Sequence, residues 1–426
     1  MVEIIEYNSV RDLKEIFAAA REVNQEVYSS VKDIIANIVK DGDEAVFSYS
    51  KQFDNITLHK GNIKFTSQEI DNAYNTASKE LLDALNLAYE RILRFHQEQY
   101  PEDKLLLTGK NFVTGWKWSP LDSVGLYVPG GLASYPSSVL MSGVIAKVAG
   151  VKNITMVMPC PNGRYNPAIL VAAKIIGITE IYKIGGAQAI AALAYGTDIV
   201  PSVCKIVGPG NAYVAEAKKQ VFGDVGIDMI AGPSEVLVIA DKNANPRWVA
   251  YDLLSQAEHD PKARAMLVTD DINLAQRVKK EIEQILPDLN RSAITTKSWQ
   301  DNGKIFLVDD LLQEGVELAN KLAPEHLQLM VEDADNLVAN ISNAGAIFVG
   351  YYSPEALGDY IAGPSHVLPT SGTAKFSSGL SIYDFLKKIS IINCSKEDFV
   401  DVAKQTSVLA ESEGLECHAG SIKVRK

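Results

Sequence analysis

Glu325 and His326 follow Pro324 where a helical pattern gives way to a short apolar run. An adjacent carboxylate and imidazole at such a junction can pass a proton, and an imidazole with a free pKa near ~6.5 suits that work at neutral pH. A solvated Glu-His pair on a loop accounts for the same two residues. Gln256 and His259 stand three apart in a helical pattern, hence on one face. Such a pair can chelate a metal, although Gln is an uncommon ligand and a packing role fits the spacing as well. Asp359 lies in Pro354-Glu355-Ala356-Leu357-Gly358-Asp359-Tyr360. The run that follows, Gly363-Pro364-Ser365-His366-Val367-Leu368-Pro369-Thr370, holds too many breakers for regular structure. Its polar residues are expected on a loop, where sites often sit. Near the end, Glu413 and His418 flank Cys417. No charge pattern marks that thiol as an activated nucleophile.

A second kind of signal comes from glycine. In Gly208-Pro209-Gly210-Asn211-Ala212-Tyr213 an apolar strand pattern enters and a helical pattern leaves. Backbone N–H groups at such a turn can face an anion at a helix start. The turn lacks the third Gly or Ala of the dinucleotide fingerprint. Asp228 lies at the spacing of the ribose-binding acid, but it precedes Met229-Ile230 rather than ending a clear strand. Weaker versions occur at Pro129-Gly130-Gly131 and Gly185-Gly186-Ala187-Gln188. Plain tight turns explain each of them equally.

These residues need elements to hold them. Apolar positions recur at helical spacing over 10–23, 27–40 and 67–98, with Thr66 and Glu69 forming a capping box before the third. From about 120 short strands alternate with helices: strands are expected at 124–128, 153–158, 180–184 and 204–207, with helices between them. A second series has strands at 235–239, 265–269, 304–308, 327–331 and 346–349. Such alternation predicts βαβ units and parallel sheets covered on both faces. Two runs of similar spacing predict a duplicated α/β architecture, followed from about 376 by a small appendage of mixed helical patterns.

Composition bounds the partners. The 426 residues carry a formal charge of −12 and are 47% hydrophobic, ordinary for a folded chain of two or three domains. The acidic balance argues against nucleic acid and anionic membrane as partners, since both need a basic face. The start, Met1-Val2-Glu3-Ile4-Ile5-Glu6, carries acids where a signal peptide carries basic residues, and no run of ~18 apolar residues follows. A soluble, cytoplasmic protein is expected. Cys160, Cys204, Cys394 and Cys417 form no C-x-x-C pair, so a disulfide framework or Cys-type zinc site is not expected.

Taken together, the motifs resemble those of the histidinol dehydrogenase family over nearly the whole chain. The resemblance rests on Val124-Gly125-Leu126-Tyr127-Val128-Pro129-Gly130-Gly131, Gly185-Gly186-Ala187-Gln188-Ala189-Ile190-Ala191-Ala192-Leu193 and Gly208-Pro209-Gly210-Asn211. It continues through Ala231-Gly232-Pro233-Ser234-Glu235, Asp252-Leu253-Leu254-Ser255-Gln256-Ala257-Glu258-His259, Pro324-Glu325-His326-Leu327 and Ser365-His366-Val367-Leu368-Pro369-Thr370. It implies oxidation of L-histidinol through L-histidinal to L-histidine with two NAD⁺ and one Zn²⁺ per site. It implies Gln256, His259, Asp359 and His418 as zinc ligands that also meet the substrate, and Glu325 and His326 as the acid–base pair. Ser234, His366 and Glu413, with His326, are implied as substrate contacts; Tyr127, Gln188 and Asn211 as NAD contacts. Ser365 departs from the family, which commonly has Asn there.

The implied fold is a pair of incomplete Rossmann-like βαβ sheet domains of similar topology. Residues 1–25 form a helical N-terminal segment. Residues 26–120 with 235–375 form the first α/β domain, carrying zinc and catalytic residues. Residues 121–234 form the second, carrying the NAD contacts. Residues 376–426 complete the partner subunit's site in a homodimer, so that Glu413 and His418 act in trans. Competing readings are a relative acting on another polyol, a zinc hydrolase using Glu325 without NAD, and a non-catalytic nucleotide-binding protein.

Overall fold

The computed structural model describes residues 2–7, 25–130 and 135–425. The helix expected over 10–23, and Gly131 of the turn after the first expected strand, lie outside the described residues. The strands in chain order are β1 (Ile4–Glu6), β2 (Lys104–Leu107), β3 (Val113–Pro120), β4 (Ser123–Tyr127), β5 (Asn153–Val157), β6 (Glu180–Tyr182), β7 (Lys205–Val207), β8 (Gly226–Ile227), β9 (Glu235–Ala240), β10 (Arg264–Thr269), β11 (Lys304–Leu307), β12 (His326–Met330), β13 (Ala346–Val349) and β14 (Leu386–Asn393).

Two parallel sheets dominate. One has the order β6-β5-β4-β7-β8 and the other β1-β11-β10-β9-β12-β13. Counted within each unit, both run 3-2-1-4-5, the doubly wound dinucleotide order without its sixth strand. The duplicated, incomplete Rossmann-like architecture is therefore present. Every residue of β9, β10 and β12 is buried, as parallel strands covered on both faces must be. Local chemistry starts the crossover helices cleanly. Asn166, Asn245 and Asp271 each cap a helix by accepting backbone N–H bonds. Thr66 and Glu69 form the expected capping box. The helix expected over 67–98 is two, Ser67–Thr76 and Lys79–Gln97, because Ser78 caps the second.

Three placements correct the expected division. Helices Gln25–Asp41, Asp43–Asp54, Ser67–Thr76 and Lys79–Gln97 pack on the helices that cover the five-stranded sheet, not on the six-stranded unit. Val31, Ile34 and Ile38 share a core with Tyr127 and Ile190. On the opposite face Ile70, Leu85 and Ile92 share one with Leu126 and Met156. Residues 25–97 thus belong with 121–234, since each apolar helix face closes over the layer that covers that sheet. The N-terminal segment, expected to be helical, contributes a strand at its start: β1 pairs with β11 at the edge of the six-stranded sheet. The segment from 376 is not only helical either. β14 pairs with β3 along its full length, Leu386 opposite Pro120 and Asn393 opposite Val113, and β2 completes a three-stranded antiparallel sheet. Helices Lys396–Ser412 and Glu416–Lys423 end the chain; Asp398 docks the first by accepting N–H bonds from Lys110 and Asn111. No helix among the described residues is long and apolar enough to cross a membrane.

Candidate active site

In both parallel sheets the strand order reverses between the first and fourth strands of the unit, β4 and β7 in one, β9 and β12 in the other. The carboxyl ends of β4, β6 and β7 carry the glycine turns. Gly208 has φ +115°, and a Cβ there would lie 2.1 Å from the Tyr127 carbonyl oxygen, so only glycine fits beside β4. A Cβ on Gly130 or Gly185 would lie 2.7 or 2.3 Å from Pro159. Backbone is thus brought to one edge with no side chain in the way. Gln188 is buried in the first turn of helix Gly186–Tyr195, and its amide oxygen has no partner. Tyr127 is buried, with its hydroxyl accepting the Gly186 N–H at 3.1 Å; burial pushes its pKa up to about 12. Asn211 caps helix Ala212–Val221 by accepting from Tyr213 and Val214, and stays exposed.

The six-stranded sheet uses its other end. Glu235 opens β9 and His326 opens β12, both at the amino edge of the sheet, where the His326 ring meets the Glu235 main chain. His326 Nδ1 lies 3.1 Å from the Glu235 carbonyl and donates to it, which fixes the ring and leaves Nε2 bare in a neutral imidazole. That Nε2 is buried without a hydrogen-bond partner, 3.7 Å from Asp359 Oδ1. Glu325 accepts the Glu235 N–H at 2.9 Å, and its carboxylate lies 3.8 Å from His326 Nδ1. Glu235 itself is held by Arg264 at 2.9 Å.

The lining residues arrive from helices. Gln256 is fully buried on Pro246–Ala257, and His259 follows one residue past the helix cap, its N–H bonded to the Gln256 carbonyl. Asp359 is on a short helix, Glu355–Tyr360. The same helix brings Glu355, four residues earlier, to 3.8 Å from His326 Nδ1 and against the Gln256 amide. With its nitrogen turned to the carboxylate, that amide donates to Glu355 Oε2 at 3.2 Å. His366 Nδ1 donates to the Asp359 carbonyl at 3.0 Å, and its Nε2 lies 3.2 Å from the Ser138 hydroxyl. A cavity of about 220 Å³ opens between His326, Phe348, Asp359, Ser365 and His366. Ser234 precedes Glu235, half-buried, its carbonyl accepting the Arg264 N–H.

The electrostatics follow from burial and crowding. Burial pushes both Glu325 and Glu355 up to about 8, with His326 pulling the other way. Burial opposes charge on His326, but Glu355, Glu325 and Asp359 outweigh it and raise its pKa to about 10. Burial also opposes charge on Asp359, but His326, His366 and His259 around it hold it below its ordinary value. His259 and His366 are both lowered by burial, which keeps them neutral and able to donate a lone pair.

Glu325, His326, Gln256, His259, Asp359 and His366 are thus gathered in one place. Glu413 and His418 are not among them: both are exposed on the C-terminal helices, and no hydrogen bond or ion pair among the described residues joins them to the cluster. Glu355, Glu235 and Ser138 are additions that motif spacing does not reveal. His326, Glu355 and Asp359 present ligand atoms within 4.8 Å of one another and can hold a metal ion.

Two incomplete doubly wound units, with a buried acid–base cluster at the edge of one and open glycine turns on the other, define an α/β enzyme of the dehydrogenase type. The histidinol dehydrogenase family model matches residues 18–426. The chain belongs to the histidinol dehydrogenase family and with it to the oxidoreductases. It is 51% identical to a histidinol dehydrogenase of Rhodospirillum rubrum over 410 residues, 96% of this chain and 94% of the relative. It is likewise 51% identical to one of Agrobacterium fabrum, over 97% of this chain and 96% of the relative. The crystal structure of histidinol dehydrogenase from Elizabethkingia anophelis superposes with a TM-score of 0.91 at 37% identity, covering 97% and 96% of the two chains.

Proposed function

We propose that the chain oxidises L-histidinol through L-histidinal to L-histidine with two NAD⁺ and one Zn²⁺ per site, as a cytoplasmic homodimer with shared sites. The observation that carries this reading is the bare, buried Nε2 of His326, with Asp359 on one side and Glu325 on the other. An unpartnered buried nitrogen is costly unless a ligand meets it.

The donors suit zinc. Gln256, His259 and Asp359 offer oxygen and nitrogen atoms of the kind borderline Zn²⁺ accepts, and three ligands leave a position open. His418 of the second subunit would be the fourth. His326, Glu355 and Asp359 form the rival ligand set. The two sets share only Asp359, and one variant separates them: His259→Ala is expected to empty the site of metal, measured as zinc per chain after dialysis, whereas the rival set predicts full retention. Bound zinc would supply positive charge that orients the substrate's imidazole and amine and offsets the carboxylates crowding His326.

The five-stranded unit suits NAD⁺. Its glycine turns stand at the carboxyl edge where doubly wound sheets bind nucleotides, with Tyr127, Gln188 and Asn211 on them. The equivalent edge of the six-stranded unit carries Asp270, Asp309, Asp310 and Asp333 around a hollow, a field that repels a pyrophosphate.

The chemistry then divides among the residues. His326 takes the hydroxyl proton as hydride passes to NAD⁺. Glu325 activates water to hydrate the aldehyde, and His326 takes a proton again in the second oxidation. Ser234, His366 and the partner-supplied Glu413 hold the substrate, and the aldehyde stays bound between steps. Purified protein with NAD⁺ and L-histidinol should yield two NADH per histidinol. Chelation should abolish the yield and Zn²⁺ restore it. No NADH from zinc-replete protein sinks the proposal.

A further inference from the structure

Asp228 stands at the spacing of a ribose-binding acid, yet the fold commits it elsewhere. Its Oδ2 accepts the Gly208 N–H at 2.8 Å, and its Oδ1 accepts the Met229 N–H at 2.6 Å and pairs with Lys218. Lys218 Nζ also donates to the Gly208 carbonyl at 3.0 Å. Both side chains are at most 2% exposed. One buried ion pair therefore grips both polar groups of a single peptide-bearing residue, Gly208.

The connectivity makes this grip a positioning device. Lys218 lies on helix Ala212–Val221 and reaches back to the turn that starts its own helix. Asp228 follows β8, the edge strand, with its N–H on the Ile206 carbonyl of β7. Turn, helix and edge strand are thus tied at one point. In the usual fingerprint the third glycine sets close packing of helix against strand and so fixes the turn. This turn has no third glycine. Gly208 holds a positive φ that only glycine takes without strain, and a neighbouring strand lies too close for any Cβ. Something else has to hold it in one geometry. The pair also carries no net charge, so it fixes the backbone without itself attracting an anion.

We propose that Lys218 and Asp228 are positioning residues for nucleotide binding, replacing the missing glycine by holding Gly208–Asn211 in the conformation that meets NAD⁺. A corollary is that Asp228 does not touch the ribose. The proposal rests on the NAD⁺ reading above, and its test separates the two.

Single variants leave one buried charge alone and risk misfolding. The double variant Lys218→Met with Asp228→Asn removes both charges and keeps an acceptor for the Gly208 N–H. Steady-state kinetics on the zinc-loaded double variant should show the KM for NAD⁺ raised about ten-fold or more. The KM for histidinol, kcat at saturating NAD⁺ and zinc content should change less than about two-fold, since they belong to the other sheet. Val278→Ala, a cavity in the core of the six-stranded sheet, gives a destabilised control whose KM for NAD⁺ should not move. An unchanged KM for NAD⁺ in the double variant, or an equal rise in the control, overturns the positioning role alone. Failure of the unaltered, zinc-replete chain to reduce NAD⁺ overturns the cofactor reading and the positioning role with it. If the double variant does not fold, Asp228→Glu in place of it keeps the charge but displaces the grip, and must itself raise the KM for NAD⁺ or the proposal falls.

Discussion

Replacing His326 by asparagine is expected to lower kcat for both oxidations by about 10²–10⁴-fold, the range that a positioned proton carrier supplies. The residue is singled out by its surroundings rather than by its type. Its Nδ1 is committed to the Glu235 carbonyl, so once the ring is neutral, as the positive charge of bound zinc would favour, its lone pair is on Nε2, facing the cavity. His259 and His366 are the other imidazoles beside Asp359, and each has another task. His366 is tied at both nitrogens, to the Asp359 carbonyl and the Ser138 hydroxyl. His259 stands with Gln256 among the proposed zinc ligands. Neither can take over proton transfer. Glu325→Gln should behave differently. Glutamine keeps an oxygen for the Glu235 N–H, so the fold is spared. It cannot activate water, so oxidation of histidinal should fall far more than oxidation of histidinol. Separate kinetics with each substrate read this directly. A loss under about ten-fold for His326→Asn would remove His326 as the proton carrier. Equal losses in both steps for Glu325→Gln would remove water activation from Glu325.

How much of this was legible in the sequence depends on the range of the signal. Gln256 and His259 were visible because a helical i, i+3 spacing is local. Glu325-His326 was visible as a pair at a junction, but that its proton would be placed by a carbonyl on β9 depends on a partner 91 residues away. Glu355 left only a faint trace. Its helix has six residues, too few to show a period, and contains Gly358, where a Cβ would lie 2.6 Å from the Phe348 ring. The signal that existed was an acid just after Pro354 with a second acid four residues on, a helix start that the breakers beyond it masked. The two sheets were legible as alternation, and their matching order follows from matching spacing. The partner of the first four helices was not, since an amphipathic stripe shows that a helix has an apolar face, not which sheet receives it. β14 reads Leu-Lys-Lys-Ile-Ser-Ile-Ile-Asn, mostly exposed, and its partner is 266 to 280 positions away in register. Pairing at that separation has no local signature.

The two units have the same strand order and opposite uses. On the proposed reading, one offers the carboxyl edge of its sheet, where glycine turns let a nucleotide approach the main chain. The other offers its amino edge, where the first residues of β9 and β12 and the ends of two helices converge. The shared strand order is thus a common scaffold, and on the proposed reading the difference in use comes from which edge gathers imidazoles and which gathers aspartates.

Mixing two dead proteins should restore activity. His326→Ala and His418→Ala chains are each expected to be inactive as homodimers. If the C-terminal helices complete the neighbouring site, a heterodimer contains one site with both lesions and one with neither. Free exchange of equal amounts makes half of the dimers heterodimers, each with one of its two sites intact, so recovery should approach about a quarter of unaltered activity. The argument starts from an incompleteness within the chain. Glu413 and His418 are exposed on the terminal helices, while Gln256, His259 and Asp359, the proposed ligands, would leave one zinc position open. Helix Lys396–Ser412 presents Val400, Val408 and Leu409 to solvent, and β2 presents Leu105 and Leu107, an apolar surface that a second copy would cover. The measurement is NADH production after subunit exchange, with heterodimers counted by distinct tags. Recovery near a quarter requires that the two residues act from different chains. Heterodimers present without recovered activity would place the whole site in one chain.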